Sequence, residues 1–84
     1  MIEWNGYKIW VLAIAYRKSD GRYLCEFDTM REVKKYIKEN YPYLDDVEYR
    51  WIAQEEIDDE GNVNCPCYGK TKAEAIGRLK KLLS

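Results

Sequence analysis

The sequence predicts an α+β domain built as a ββα unit used twice (ββαββα), with a four-stranded antiparallel sheet and two helices on one face of it. Three observations carry this. The chain matches itself at an offset of 40 residues: Val11 falls on Trp51, Leu12 on Ile52, Ala13 on Ala53, Asp20 on Glu60, Gly21 on Gly61 and Cys25 on Cys65. Each half then holds a Thr-x-x-Glu capping box, at Thr29–Glu32 and Thr71–Glu74, opening an apolar pattern of helical spacing. Finally, an acidic-Gly turn divides two strand-like runs in each half. The 84 residues, 10.1 kDa, suit one domain over 1–84, with pseudo-repeats at 7–41 and 47–84.

The elements follow in order. Lys8 to Arg17 is rich in β-branched, aromatic and aliphatic residues, Ser19-Asp20-Gly21 turns the chain, and Arg22 to Phe27 returns. Met30, Val33, Ile37 and Tyr41 recur at helical spacing until Asn40-Tyr41-Pro42, because proline disfavours a helical residue before it. After a short linker, Val47 to Ile57 alternates, Asp58 to Gly61 turns and Val63 to Tyr68 returns. The second helix sets Ala75, Ile76, Leu79, Leu82 and Leu83 on one side. Gly77 inside it costs about 1 kcal/mol relative to alanine unless close packing needs the missing side chain.

With Gly21 and Gly61 at the left-handed position of three-residue loops, Arg17 faces Tyr23, Ala15 faces Cys25 and Ala13 faces Phe27. The second hairpin pairs Ile57 with Val63, Glu55 with Cys65 and Ala53 with Cys67. One sheet face then collects Val11, Ala13, Ala15, Tyr23, Cys25, Phe27, Trp51, Ala53, Val63, Cys65 and Cys67. The other carries Trp10, Leu12, Ile14, Tyr16 and Leu24 in the first unit, and Arg50, Ile52, Gln54, Glu56 and Asn64 in the second. A sheet covered on one side is polar on the other, so an uncovered apolar patch is expected on the first hairpin. Two readings stay open. Either the N-terminal Ile2, Trp4 and Tyr7 or the linker tyrosines Tyr41 and Tyr43 cover it, or it is a partner or homodimer surface.

Composition removes several functions. There is no histidine, no Gly-rich phosphate loop, no Gly-x-Ser-x-Gly elbow and no HExxH, and a carboxylate pair at a turn tip is too wet for a tuned pKa; an enzyme is not expected. No apolar run reaches the ~20 residues of a membrane helix, and the N-terminus has neither basic region nor signal core, so a cytoplasmic location is expected. Three cysteines argue against a disulfide framework, and Cys65 and Cys67 read as small core hydrophobes rather than metal ligands. No cofactor is expected.

Fourteen Lys+Arg against fifteen Asp+Glu leave a net charge of −1. The balance is uneven: residues 1–41 hold eight basic and six acidic groups, residues 42–84 six and nine. The acid concentrates in Glu55, Glu56, Asp58, Asp59 and Glu60.

Residues 60–84, and above all Tyr68-Gly69-Lys70-Thr71-Lys72-Ala73-Glu74-Ala75, resemble the sheet-to-helix junction of the arm-type DNA-binding domain of phage integrases. The resemblance implies a three-stranded sheet followed by a helix, with the sheet in the DNA major groove. The first half, Asp20-Gly21 through Phe27-Asp28-Thr29, is a fainter copy. The same phrase is similar to HicB-like antitoxins, which place a further strand after the helix. The matching strands here depart from the integrase pattern: they carry Glu48, Glu55, Glu56, Asp58, Asp59 and Glu60, with Arg50 the one basic residue, and so repel phosphates.

Both resemblances imply a phage or mobile-element setting in a bacterial host. The function expected is stoichiometric protein–protein contact, as an anti-CRISPR-like inhibitor of a nucleic-acid-binding host-defence protein. Glu55, Glu56, Asp58, Asp59 and Glu60 would occupy a basic groove meant for phosphates. Trp10, Leu12, Ile14 and Tyr16 would supply apolar contact, since Tyr and Trp anchor interfaces. A homodimer through the outer sheet face is a further expectation. The alternative is a DNA-binding module using the helical stripe Arg31, Lys34, Lys35 and Lys38, with Arg50.

Overall fold

A computed structural model describes residues 1–56 and 63–84. The fold is α+β. Its elements are β1 (Ile2–Trp4), β2 (Tyr7–Arg17), β3 (Tyr23–Phe27), α1 (Met30–Asn40), β4 (Val47–Glu56), β5 (Val63–Gly69) and α2 (Lys72–Leu83). The antiparallel sheet has five strands rather than the expected four, in the order β1-β2-β4-β5 with β3 also paired to β2. The extra strand comes from Asn5-Gly6. Asn5 has φ 49° and Gly6 φ 83°, the two left-handed residues of a hairpin turn whose twist matches the flanking strands. It sets Ile2 opposite Ile9, Glu3 opposite Lys8 and Trp4 opposite Tyr7.

The chain divides into two compact units, one of residues 1–11 and 51–84, the other of residues 12–50. The division falls within β2 and β4, not between the sequence repeats.

In the first unit, Ile9 and Ala53 of the sheet and Ala75 and Leu79 of α2 are fully buried together. Ile2, Trp4, Val11, Trp51, Cys67, Ile76 and Leu83 pack around them. Ile2 and Trp4 are therefore committed to the core side, which overturns the reading that they cover the outer face. Leu82, expected on the apolar side of α2, is 58% exposed. The Thr71 hydroxyl caps α2, accepting from the Glu74 N–H at 3.1 Å, and the Arg78 guanidinium donates to the Tyr68 carbonyl at 2.6 Å. Gly69 sits where strand gives way to helix, and a Cβ there would lie 2.6 Å from the Ala75 nitrogen. Only a residue without a side chain permits that approach.

In the second unit, Ala13, Ala15 and Cys25 are buried, as are Val33 and Ile37 of α1, and the Phe27 ring meets Tyr36 at 5.6 Å. The Thr29 hydroxyl accepts from the Glu32 N–H at 3.3 Å, the N-cap the sequence implied, and donates to the Glu32 carboxylate at 3.0 Å; the glutamate thus meets the threonine hydroxyl rather than the backbone N–H that a capping box would use. Gly21, at φ 69°, closes the hairpin turn.

Both hairpin registers hold away from their turns and slip near them. Ala13 faces Phe27 and Ala15 faces Cys25 as expected, but Tyr16, not Arg17, faces Tyr23. The extra residue is Leu24, a bulge that turns Tyr23 to the side of Tyr16 instead of Cys25. In the second hairpin Ala53 faces Cys67, but Glu55 faces Asn64 and Glu56 faces Val63. Here the extra residue falls between Asn64 and Cys67, where Pro66 has no N–H for the ladder. The expected pairing of Ile57 lies outside the described residues. Among the described residues, no helix is long and apolar enough to cross a membrane.

Candidate functional site

The outward residues of β2 do not share one environment. Trp10 belongs to the first unit, on the face opposite Ile9 and hence opposite α2, and is 39% exposed. On that same face of the unit stand Lys8, Ile52, and Tyr68, which pairs with Ile52 and is 48% exposed. Tyr68 was not among the expected outer residues, although alternation from the Ala53–Cys67 pair places it there.

Leu12, Ile14 and Tyr16 lie in the second unit. Leu12 and Tyr16 are half-buried, but Ile14 is only 6% exposed. It stands between Leu12 and Tyr16 on its strand and opposite Glu26. Ile14 is core, and its expected place in a partner surface is withdrawn. Tyr23 joins this face through the Leu24 bulge and is 55% exposed. Partial desolvation, followed by the hydrogen bond to Glu26 and its negative charge, pushes the Tyr23 phenol up to about 12.

Glu55 and Glu56 end β4 and are half-buried. Successive strand residues point to opposite faces, so these two carboxylates do not form one patch. Asp58, Asp59 and Glu60 lie outside the described residues.

The basic stripe is presented as expected. Arg31, Lys34, Lys35 and Lys38 are all exposed on α1 and span about 10 Å along its axis. None is paired with a carboxylate among the described residues; the Lys34 ammonium sits 5.5 Å over the Tyr49 ring. Arg50 is different. Its guanidinium is paired with Glu48 on the same strand and donates to the Tyr49 carbonyl at 3.0 Å. With both ends of the fork engaged, Arg50 is a structural ion pair rather than a phosphate contact.

A further feature of the second unit was not foreseen. Asp46, at the end of the α1–β4 linker, ties that linker to the first hairpin turn. Its carbonyl accepts from the Lys18 N–H at 2.8 Å and its carboxylate from the Ser19 N–H at 3.3 Å. Hydrogen bonding from Ser19, hydroxyl first, outweighs partial desolvation and, with the Arg17 charge, holds the Asp46 carboxyl below the usual range. Cys25 is a buried free thiol whose pKa burial pushes up, which makes it a packing residue and a poor nucleophile. No family model matches the chain, and neither a curated protein nor a solved structure does.

Proposed function

We propose that this chain is a non-enzymatic binding protein acting by stoichiometric protein–protein contact, as an anti-CRISPR-like inhibitor of a nucleic-acid-binding defence protein in the cytoplasm of a bacterial host. The observation that carries the contact part is Trp10, 39% exposed on the sheet face that α2 leaves uncovered, with Tyr68 and Ile52 on the same face. Large aromatics there cost the free protein and return that cost when a partner buries them. The acidic run from Glu55 to Glu60 favours a basic partner, and the integrase-like and antitoxin-like phrase at Tyr68–Ala75 supports the phage setting. The proposal includes the finer architecture of two ββα copies with both helices on one sheet face. Its support is the sequence match at an offset of 40 residues and the threonine N-cap that opens each helix.

The test is retention of host protein from nuclease-treated bacterial lysate by the purified chain, by Trp10→Ser, and by the chain with Glu55, Glu56, Asp58, Asp59 and Glu60 changed to lysine. The expected result is one basic protein held at unit stoichiometry by the first and lost by both variants, whose circular dichroism stays unchanged. Equal retention by the Trp10 variant refutes the reading.

A second reading, the DNA-binding module, is favoured by one observation: the four α1 cations have no carboxylate partners among the described residues. Under it, the chain shifts DNA in a salt-sensitive manner and changing Arg31, Lys34, Lys35 and Lys38 to alanine abolishes the shift.

A further inference from the structure

We propose that the corner between the first hairpin turn and the α1–β4 linker binds a nucleoside monophosphate group. The corner lies wholly within residues 12–50 and holds a cavity of about 460 Å³, inside the range of roughly 300–1,000 Å³ usual for small-ligand sites.

Its lining offers three chemistries at once. Arg17 and Arg22 bring guanidinium groups, Tyr41 and Tyr43 bring aromatic rings with centroids 6.4 Å apart, and Asp45 and Ser19 bring a carboxylate and a hydroxyl. A bare anion would use the arginines and be repelled by Asp45; a bare cation would meet the reverse. A phosphate joined to a nucleoside uses all of them. The phosphate takes the planar N–H donors, the base stacks on a tyrosine face, and base N–H or ribose O–H groups donate to Asp45.

The donors are available. Arg17 Nε is buried 3.7 Å from the Asp46 carboxylate and out of a ligand's reach, but the side chain as a whole is 41% exposed, which leaves the outer N–H groups of its guanidinium to the cavity. The Arg22 guanidinium is in no ion pair among the described residues; its hydrogen bonds are made by the backbone, the N–H donating to Asp20 at 3.0 Å and the carbonyl accepting from the Arg17 N–H at 2.7 Å. Asp46 also lines the cavity; its carboxylate accepts from the Ser19 N–H and offsets the charge of Arg17, so Arg22 is the cation the site has to spare among the described residues.

The walls are also set before any ligand arrives. Besides the Asp46 tie, the Leu44 N–H donates to the Tyr41 carbonyl at 3.1 Å. The Tyr41 ring lies 6.3 Å from Tyr36, which meets Phe27, so half-buried rings of the same unit brace Tyr41, while Tyr43 stands exposed at the rim. A site already in shape loses less affinity to ordering. The proposal uses residues 12–50 alone and does not rest on the Trp10 reading.

The test is calorimetric titration of the full chain with adenosine monophosphate, adenosine, inorganic phosphate and a single-stranded oligoadenylate. Saturable binding of the nucleotide is expected, with adenosine and phosphate each about tenfold or more weaker. Arg22→Ala and Tyr43→Ala should each weaken it about tenfold or more. Both side chains are exposed, so the variants should keep the wild-type melting curve. Tighter, salt-sensitive binding of the oligoadenylate would identify a nucleic-acid strand as the source of the group, and equal or weaker binding would identify a free nucleotide; either supports the site. Phosphate alone binding as tightly as the nucleotide overturns it. So does an absence of saturable binding by both nucleotide and strand, or binding that both substitutions leave unchanged.

Discussion

Two glycine-to-alanine changes in the first unit should move stability in opposite directions. At Gly77, inside α2, an added Cβ meets nothing within 4 Å. Close packing therefore does not require this glycine, and alanine should stabilise by about 0.5–1 kcal/mol through helix propensity and a less disordered unfolded chain. At Gly69 the same Cβ would stand 2.6 Å from the Ala75 nitrogen and 3.1 Å from its Cα. Those are backbone atoms of the first turn of α2, adjoining the Thr71 cap, and they cannot rotate away. The helix must shift off the sheet instead, at an overpacking cost of about 1–3 kcal/mol, larger than the gain of roughly 0.4–1 kcal/mol from the unfolded chain. Because both variants change the unfolded state alike, their difference isolates native sterics. Urea denaturation at matched m-value should place Gly77→Ala above and Gly69→Ala below wild type, separated by about 1–3 kcal/mol. Two midpoints shifted in the same direction would refute the argument.

Further outcomes follow from the caps and the titrating groups. Thr29→Ala and Thr71→Ala should each cost about 1 kcal/mol in denaturant melts, with serine restoring most of it. Tyr23 should ionise near about 12 when phenolate absorbance is followed, and Glu26→Gln should bring it down. Its folded pKa is raised, so the associated stability is present below the unfolded value of 10.0 and is lost as pH rises through about 12. Asp46 has the opposite sign: its folded pKa is lowered from 3.8, so its contribution is present above that value and lost as pH falls through the lower folded one. Asp46→Asn should therefore lower the urea midpoint at pH 7, and that difference from wild type should close on acidification; a gap that widens would contradict it.

Much of the candidate surface was legible, though unevenly. The α1 stripe could be read from spacing because helical periodicity alone puts Arg31, Lys34, Lys35 and Lys38 on one side. Trp10 could be read from alternation. Ile14 could not, because alternation gives the face of a residue and not the depth at which it is buried there. Arg50 stands on an outward position, yet Glu48 takes its charge. The hairpin Asn5-Gly6 was visible as a dipeptide but was passed over, since the three-residue strand before it is too short to show a period.

The sequence by itself determined the features that depend on neighbours along the chain. These are the α+β class, both threonine N-caps, the helices at Met30–Asn40 and Lys72–Leu83, and the pairs Ala13–Phe27, Ala15–Cys25 and Ala53–Cys67. Each rests on a period or a cap that a few consecutive residues specify. Tertiary structure decided where the ladders slip, at Leu24 and beside Pro66, and so which way Tyr23 points. It also brought Arg17 and Arg22 together with Tyr41, Tyr43 and Asp45. A bulge is settled by competition between two strands for hydrogen bonds, and a pocket by segments distant in sequence; neither leaves a period in one strand to read.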